Sequence, residues 1–390
     1  MRPDDRKVAS TDDASRKAVT STARPRRRWL LWTLPVVLGV AVAVVGASGI
    51  WVEACRGPAR DVPPEGPTSA IGDVCADPTA RSRDVCTAPA LIQAELERAP
   101  FEVLDAHVTA HGHSLPQRLR IRVHRADQGE VVYHVKWKQA PPSGDASNNS
   151  PRRELAAFAL QELLFSPDHF VVPATAMRCL PLEDPRARVH GAVAFPGTRC
   201  ALGMLAFWLP NVRELTDADV AAAAGDQRLG AALGDLNVFT YLAEHRDGIG
   251  QNFLLGQLAE RPRAFAVDNG MSFGAWRYNP MRLLSSSWCD LKVRTLRADL
   301  VRRLRELRRE DLNRLAVVAE LRPDQAGDAG DGVLINTARG PVFAGQEGLG
   351  VRREQGAIQL GLTKSEIDDV HARLGELVEL VASGEVAAVE

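Results

Sequence analysis

Two acidic motifs, EHRDGIGQNFLLG at 244–256 and AFAVDNGMSFG at 264–274, hold the side chains of this sequence best suited to chemistry. In the first, Asp247 stands five residues before Asn252, and an apolar run follows at once. In the second, the apolar run Ala264 to Val267 ends on Asp268-Asn269-Gly270, with Phe273-Gly274 just beyond. The turn-forming segment GQLAERPR between them makes the two apolar runs neighbouring strands of one hairpin. That layout predicts Asp247, Asn252 and Asp268 around one small space. Such a set suits phosphoryl transfer: one carboxylate orients or deprotonates an acceptor hydroxyl, and an Asn with a second Asp holds metal on nucleotide phosphates. Asp-Asn-Gly alone is ordinary turn content, because Asn and Gly tolerate positive φ. The ordered pair, with its two Asp residues about twenty positions apart, carries the signal.

The same chemistry needs a cation on the phosphates and a carboxylate that holds it. Arginine dominates the basic residues, and only six lysines occur: Lys7, Lys17, Lys136, Lys138, Lys292 and Lys364. Two of them share GEVVYHVKWKQA, where Val131, Tyr133 and Val135 alternate with Val132, His134 and Lys136 as in a strand. A lysine retained in an arginine-rich chain marks a place for a compact ammonium rather than a fork. Lys136 is the first choice for the phosphates, and Lys138, on the same strand face, is the second cofactor-binding candidate. After a Ser- and Asn-rich loop at 142–150 comes PRRELAAFALQELLF, helical in its apolar spacing, with Pro151 fit for the first turn. Glu154 lies in that turn and is expected to hold Lys136. Taken alone it would do no more than complement the helix N-terminus.

A resemblance follows from these segments. SPRRELAAFALQELLF with the VVPAT after it resembles the helix and turn of the secretory-pathway kinases, the group of the Golgi casein kinase, xylosylkinase and Four-jointed. CALGMLAFWLPNV, GDLNVFTYLAEHRD and VDNGMSFG resemble, in the same order, that group's Phe-Leu-Pro segment, the helix before its catalytic Asp and its metal motif. The match covers roughly residues 130–300. After Asp247 the chain has Gly-Ile-Gly-Gln-Asn where the group has Arg-His-His-Tyr-Glu. An Asn five residues after the Asp is more similar to the HipA kinases and the type II phosphatidylinositol 4-kinases, relatives in the same atypical branch. The resemblance implies an α+β, two-lobed atypical protein-kinase-like fold, with a small antiparallel-sheet N-lobe and a mainly helical C-lobe. It implies ATP with Mg or Mn, Glu154 as the counterpart of the helix glutamate, Asp247 as the catalytic residue, and Asp268 with Asn252 on the metal.

The elements that must position these residues begin late in the chain. Residues 29–52 carry no charge and are long enough to span hydrocarbon, with Trp29, Trp32 and Trp51 near the two ends. The 28 residues before them hold nine Lys/Arg against four Asp, which by the positive-inside rule puts the tail in the cytoplasm and the bulk outside. All six cysteines, Cys55, Cys75, Cys86, Cys179, Cys200 and Cys289, lie beyond the span, which suggests disulfides. Cys179 and Cys200 flank a hairpin-like stretch and are the first expected pair; Cys75 with Cys86 is the second. Residues 53–95, rich in Pro, Gly, Asp and Thr, read as a tether. The predicted layout is therefore tail 1–28, transmembrane helix 29–52, tether 53–95, N-lobe 96–175 and C-lobe 176–390.

Within the domain, strands are expected at 101–109, 118–124 and 130–138, and HGHS at 111–114 is a weak candidate for a phosphate-covering turn. Residues 291–321 read as one arginine-faced surface helix, 324–350 as irregular, and 363–381 as a helix opened by a Thr363/Glu366 capping box. Net charge is −1 over 390 residues, which gives no case for a nucleic-acid partner. The sequence thus points to a membrane-anchored exoplasmic kinase acting on a hydroxyl of a protein or glycan, with a lipid acceptor open. A kinase-like domain kept as an inactive scaffold or receptor is the alternative.

Overall fold

A computed structural model describes residues 89–389, apart from 110–115, 126–128, 147–148, 182–192, 199, 248–249, 259–260, 275–287, 289, 323–333 and 337–339. The expected tail, span, HGHS turn, most of the tether, and Cys55, Cys75, Cys86 and Cys289 lie outside the described residues. Among the described residues no helix is long and apolar enough to cross a membrane. The chain is a mixture of helices and mostly antiparallel sheets.

Helix α1 (Pro89–Arg98) takes up the last residues assigned to the tether and packs on the first sheet. It buries Ile92 and Leu96, and Glu95 accepts from Arg125 Nε and from the Tyr133 hydroxyl. The composition of 53–95 hid this helix because its apolar residues are few and late. The sheet itself consists of β1 (Phe101–Val108), β2 (Gln117–Arg125), β3 (Gly129–Gln139), β4 (Thr175–Pro181) and β5 (Cys200–Phe207), in the order β1-β2-β3-β5-β4, all antiparallel. Alternation places Val131, Tyr133, Val135 and Trp137 of β3 in the core. The Trp137 ring lies over Gly203 of β5, where an added Cβ would meet it at 2.5 Å, so only glycine admits this packing. This sheet runs on through Phe207, so a division at residue 175 cuts through its middle. The disulfide Cys179–Cys200 joins β4 to β5, with Cα atoms 5.3 Å apart.

Between β3 and β4 lies α2 (Pro151–Leu164), a helix buried on nearly every side. Such helices are normally apolar all round; this one instead buries Arg152, Arg153 and Glu154 in its first turn, each with a partner. Downstream come β6 (Arg213–Glu214), α3 (Asp217–Ala222), α4 (Gln227–Leu242), and β7 (Phe253–Leu258) with β8 (Arg261–Ala266). The expected hairpin is formed, with Phe253 opposite Ala266 and β6 alongside.

The helix expected at 291–321 is broken. It resolves into β9 (Thr295–Arg297), α5 (Ala298–Glu306), a 3₁₀ turn at Asp311–Leu315 and β10 (Ala319–Arg322). Leu307 leaves the helix in an extended conformation, Asp311 Oδ2 accepts from Arg308 N at 2.9 Å, and Leu312 and Leu315 turn inward. Strands β11 (Leu334–Asn336), β12 (Val351–Glu354) and β13 (Ala357–Leu360) join β10 in a four-stranded sheet, part of it in the stretch expected to be irregular. Sheet is therefore more prominent in this half than a mainly helical lobe would have it. Helix α6 (Lys364–Ala382) begins as expected, with both hydrogen bonds of the Thr363/Glu366 capping box, and β14 (Ala387–Val389) pairs in parallel with β9.

Candidate phosphoryl-transfer site

Four elements converge on one cluster. Strand β3 supplies both lysines. Its alternation would leave Lys136 and Lys138 on the solvent side, yet Lys138 is 3% exposed because Glu154 and Asp268 cover it. Lys138 Nζ donates to Asp268 Oδ1 at 2.8 Å and stands 3.8 Å from Glu154 Oε1. Lys136 Nζ, more open, is 3.4 Å from Asp268 Oδ2. The expected partnership of Glu154 with Lys136 is thus corrected: the lysine beside Glu154 is Lys138, two residues on. A single-residue slip would have changed the face, whereas a slip of two keeps it.

Glu154 sits in the first turn of α2, where Pro151 and the helix dipole both favour it. Its Oε2 accepts the backbone N–H of Asn269 at 2.9 Å. Gly270 follows so closely that a Cβ built on it would stand 3.5 Å from Glu154 Oε1 and 3.6 Å from Lys138 Nζ. Sequence reading singled out DNG for the Asp and overlooked the Asn269 amide, because a backbone donor leaves no residue-type signal.

Asp268 ends the extension of β8 in the left-handed region, φ 59° and ψ 52°. Phe273, a bulky residue for which that region is unfavourable, follows at φ 58°, and its N–H donates to Ala243 O at 2.6 Å. This bond ties the Asp268–Phe273 turn to the end of α4, from which the loop carrying Asp247 departs. Strain of this kind persists where surrounding contacts over-determine it. On the neighbouring strand, Val267 N donates to Asn252 O at 2.9 Å, which sets Asn252 beside the approach to Asp268. Asn252 Nδ2 donates to the Asp247 carbonyl at 2.5 Å, closing the loop between them.

Electrostatics bind the cluster together. Burial works against ionisation of Asp268, but the Lys136 and Lys138 ammoniums outweigh it and hold the carboxyl far below the usual range. Burial likewise opposes the charge on Lys138, yet Asp268 and Glu154, with a smaller contribution from Asp247, raise its pKa. Burial pushes the Glu154 carboxyl up, and Lys138 draws it back only in part. His245 is fully buried, with its ring 5.1 Å from that of Phe253. Burial keeps it neutral by lowering its pKa.

The donor chemistry suits a hard divalent cation in a limited way. Among the described residues there is no group of three or more His, Cys, Asp or Glu side chains placed to hold a metal by themselves. Asp268, whose carboxyl the two lysines hold far below the usual range, is about one-third exposed, and Asn252 adds an amide. Mg or Mn commonly takes few protein oxygens and completes its shell with phosphates and water. One Asp and one Asn therefore fit a metal brought in with a nucleotide and do not fit a free-standing metal centre.

No family model matches this chain, and no curated protein does. Among solved structures, one of hydra Fam20 with sugar aligns over 76% of this chain and 89% of its own, with 15% identity and a TM-score of 0.42. At that score the likeness carries no argument.

Proposed function

We propose that this chain is a membrane-anchored, exoplasmic atypical kinase that transfers the ATP γ-phosphate to a hydroxyl of a protein or glycan. What supports this reading is one observation above all: a buried lysine held between a helix glutamate and an aspartate at the end of a strand, with Asp247 within electrostatic reach. Lys138 neutralises phosphate charge, and Glu154 fixes its ammonium. Lys136 adds a second cation on the open side. Asp268 and Asn252 would hold Mg or Mn, which would neutralise charge on the transferring group. Asp247 orients the acceptor hydroxyl and takes its proton. Positioning and charge do most of the work, because the reaction asks little covalent chemistry of the protein. In this reading the β1–β5 sheet with α2 is the small lobe and the remainder the large one.

The exoplasmic placement rests on the uncharged stretch 29–52, the basic tail before it, and the Cys179–Cys200 disulfide beyond it. A reporter active only outside the cytoplasm, fused at Glu390, should be active; activity of a cytoplasmic reporter there instead would reverse the orientation. A second reading, an inactive kinase-like scaffold, is favoured by one feature: both oxygens of Asp268 already face a lysine. The full chain in detergent, given labelled ATP with Mg²⁺ or Mn²⁺ and pools of protein, glycan and lipid acceptors, separates the two. Transfer to any pool supports the kinase; nucleotide binding without transfer supports the scaffold.

A further inference from the structure

Helix α6 reaches the candidate site from two directions. Near its start, Glu366 Oε2 accepts from Arg152 Nη1 at 2.6 Å, while Oε1 accepts from Arg152 Nη2 at 3.0 Å and from Arg153 Nη2 at 2.8 Å. Arg152 and Arg153 immediately precede Glu154, so the carboxylate grips the turn that carries the lysine's partner. Seven residues further on, Arg373 Nε donates to Leu242 O at 3.0 Å and Nη1 to Glu244 Oε2 at 3.2 Å. Glu244 is in the left-handed region at φ 48° and opens the loop that leads through His245 to Asp247. A spacing of seven puts Glu366 and Arg373 on one face, two turns apart.

The charges show why this contact matters. Two arginines at the first turn of α2 oppose the helix dipole, which favours anions there. They are 4% and 2% exposed, so water compensates neither. Asp145 meets Arg152 Nε at 2.7 Å, and Glu366 is the carboxylate that both arginines share. Burial opposes the Glu366 charge, but Arg152 and Arg153 hold its pKa down at about 2. Losing one partner of a buried pair leaves the other uncompensated.

We infer that Glu366 and Arg373 are positioning residues: the C-terminal helix is a strut that sets Glu154 and the Asp247 loop relative to each other. The inference rests on the kinase reading for its effect on phosphoryl transfer. Its mechanical half stands on the contacts alone.

Two readouts test it on the full chain, by hydrogen exchange and by binding of a non-hydrolysable ATP analogue with Mn²⁺. The Asn269 amide donates to Glu154, and the His245 amide donates to Thr240 O at 2.9 Å, so each reports one end of the strut. Glu366→Gln keeps an amide oxygen that can complete the capping box, and removes the charge and one of the two acceptor oxygens. It should speed exchange at 268–272 by about tenfold or more, the effect of losing charge-assisted hydrogen bonds, and Glu366→Asp should restore part of the protection. Arg373→Gln should do the same at 243–247. Leu377→Ala, a buried change on the same helix, is the control for simple destabilisation. Equal acceleration in Leu377→Ala at matched loss of Tm would overturn the strut, as would unchanged exchange in both charge variants. Analogue affinity should fall in Glu366→Gln by about tenfold, the effect of weakening one charge-assisted hydrogen bond at the site. If the wild type binds no analogue while the exchange pattern holds, the kinase reading fails and the strut survives.

Discussion

Lys138 Nζ stands 2.8 Å from Asp268 Oδ1 and 3.8 Å from Glu154 Oε1, so one buried ammonium joins a strand, a helix and a turn that lie far apart in sequence. Lys136 pairs with Asp268 at 3.4 Å, from the more open side. The two lysines should therefore differ sharply when removed. Lys138→Met leaves Glu154 buried without its counter-charge, and breaking such a pair costs roughly 3–5 kcal/mol. Lys136→Met should fold normally and lose much less. Urea unfolding and analogue binding of both variants check this; a silent Lys138→Met beside a damaging Lys136→Met would return the role to Lys136.

Asp268→Ala removes the carboxylate that both lysines share. Metal-dependent ATP binding should collapse, since the remaining ammoniums repel the metal and the carboxylate that faces both of them is gone. The fold should survive, because Asp268 is partly exposed and Lys138 keeps Glu154. Calorimetric titration with and without Mn²⁺, with circular dichroism as the folding check, reads the outcome. Retained metal-dependent affinity would remove Asp268 from the site.

Much of this arrangement was legible in the sequence, and the limits have physical causes. Strands β1 to β3, helix α2, the β7–β8 hairpin, the Cys179–Cys200 pair and the α6 capping box each leave a local signature of period, turn residue or cap. The choice between Lys136 and Lys138 does not, because both share a face and only tertiary cover distinguishes them. The Asn269 amide and the Glu366 grip on Arg152 were hidden for a similar reason: one is a backbone atom, the other spans 214 positions. The break after Glu306 was also hidden. Leu, Val and Arg continue at helical spacing through it, and the pairing of β10 with β13 overrides that local preference.

His245 predicts a loss of stability in mild acid. It is buried and neutral in the fold, with its pKa lowered by desolvation, whereas the unfolded chain takes up a proton near pH 6.5. A group that binds a proton more readily when unfolded favours unfolding as pH falls below that value. The slope should approach about 1.4 kcal/mol per pH unit for one proton. His245→Phe keeps the ring contact with Phe253 and should flatten the urea-unfolding free energy between about pH 6.5 and 5. An unchanged slope would mean that other groups carry it.

The Cys179–Cys200 bond closes a loop between residues 21 apart in sequence. A cross-link of that span contributes about 3 kcal/mol by restricting the unfolded chain. Cys200→Ser should lower the unfolding midpoint by a corresponding amount, and reductant should then have no further effect at this pair. If reductant leaves the wild type unchanged as well, the bond does not form in the protein as made, and one support for an exoplasmic location is lost.

Asp247→Asn separates an enzyme from a scaffold. Asp247 leads the loop that Asn252 closes through its amide, and Asn at 247 preserves the backbone carbonyl that accepts this bond. The substitution removes a proton acceptor and one distant charge from Lys138, whose main partners Asp268 and Glu154 remain. Binding of the ATP analogue should therefore stay close to wild type. Transfer to an acceptor should fall by roughly 10²–10⁴-fold, the range for a lost general base. A variant that lost binding and transfer together would assign Asp247 to the nucleotide side of the site. If the wild type binds ATP but phosphorylates nothing, and Asp247→Asn alters no measured property, the chain is a scaffold. Lys138, Glu154 and Asp268 would then serve a bound nucleotide that stabilises the fold.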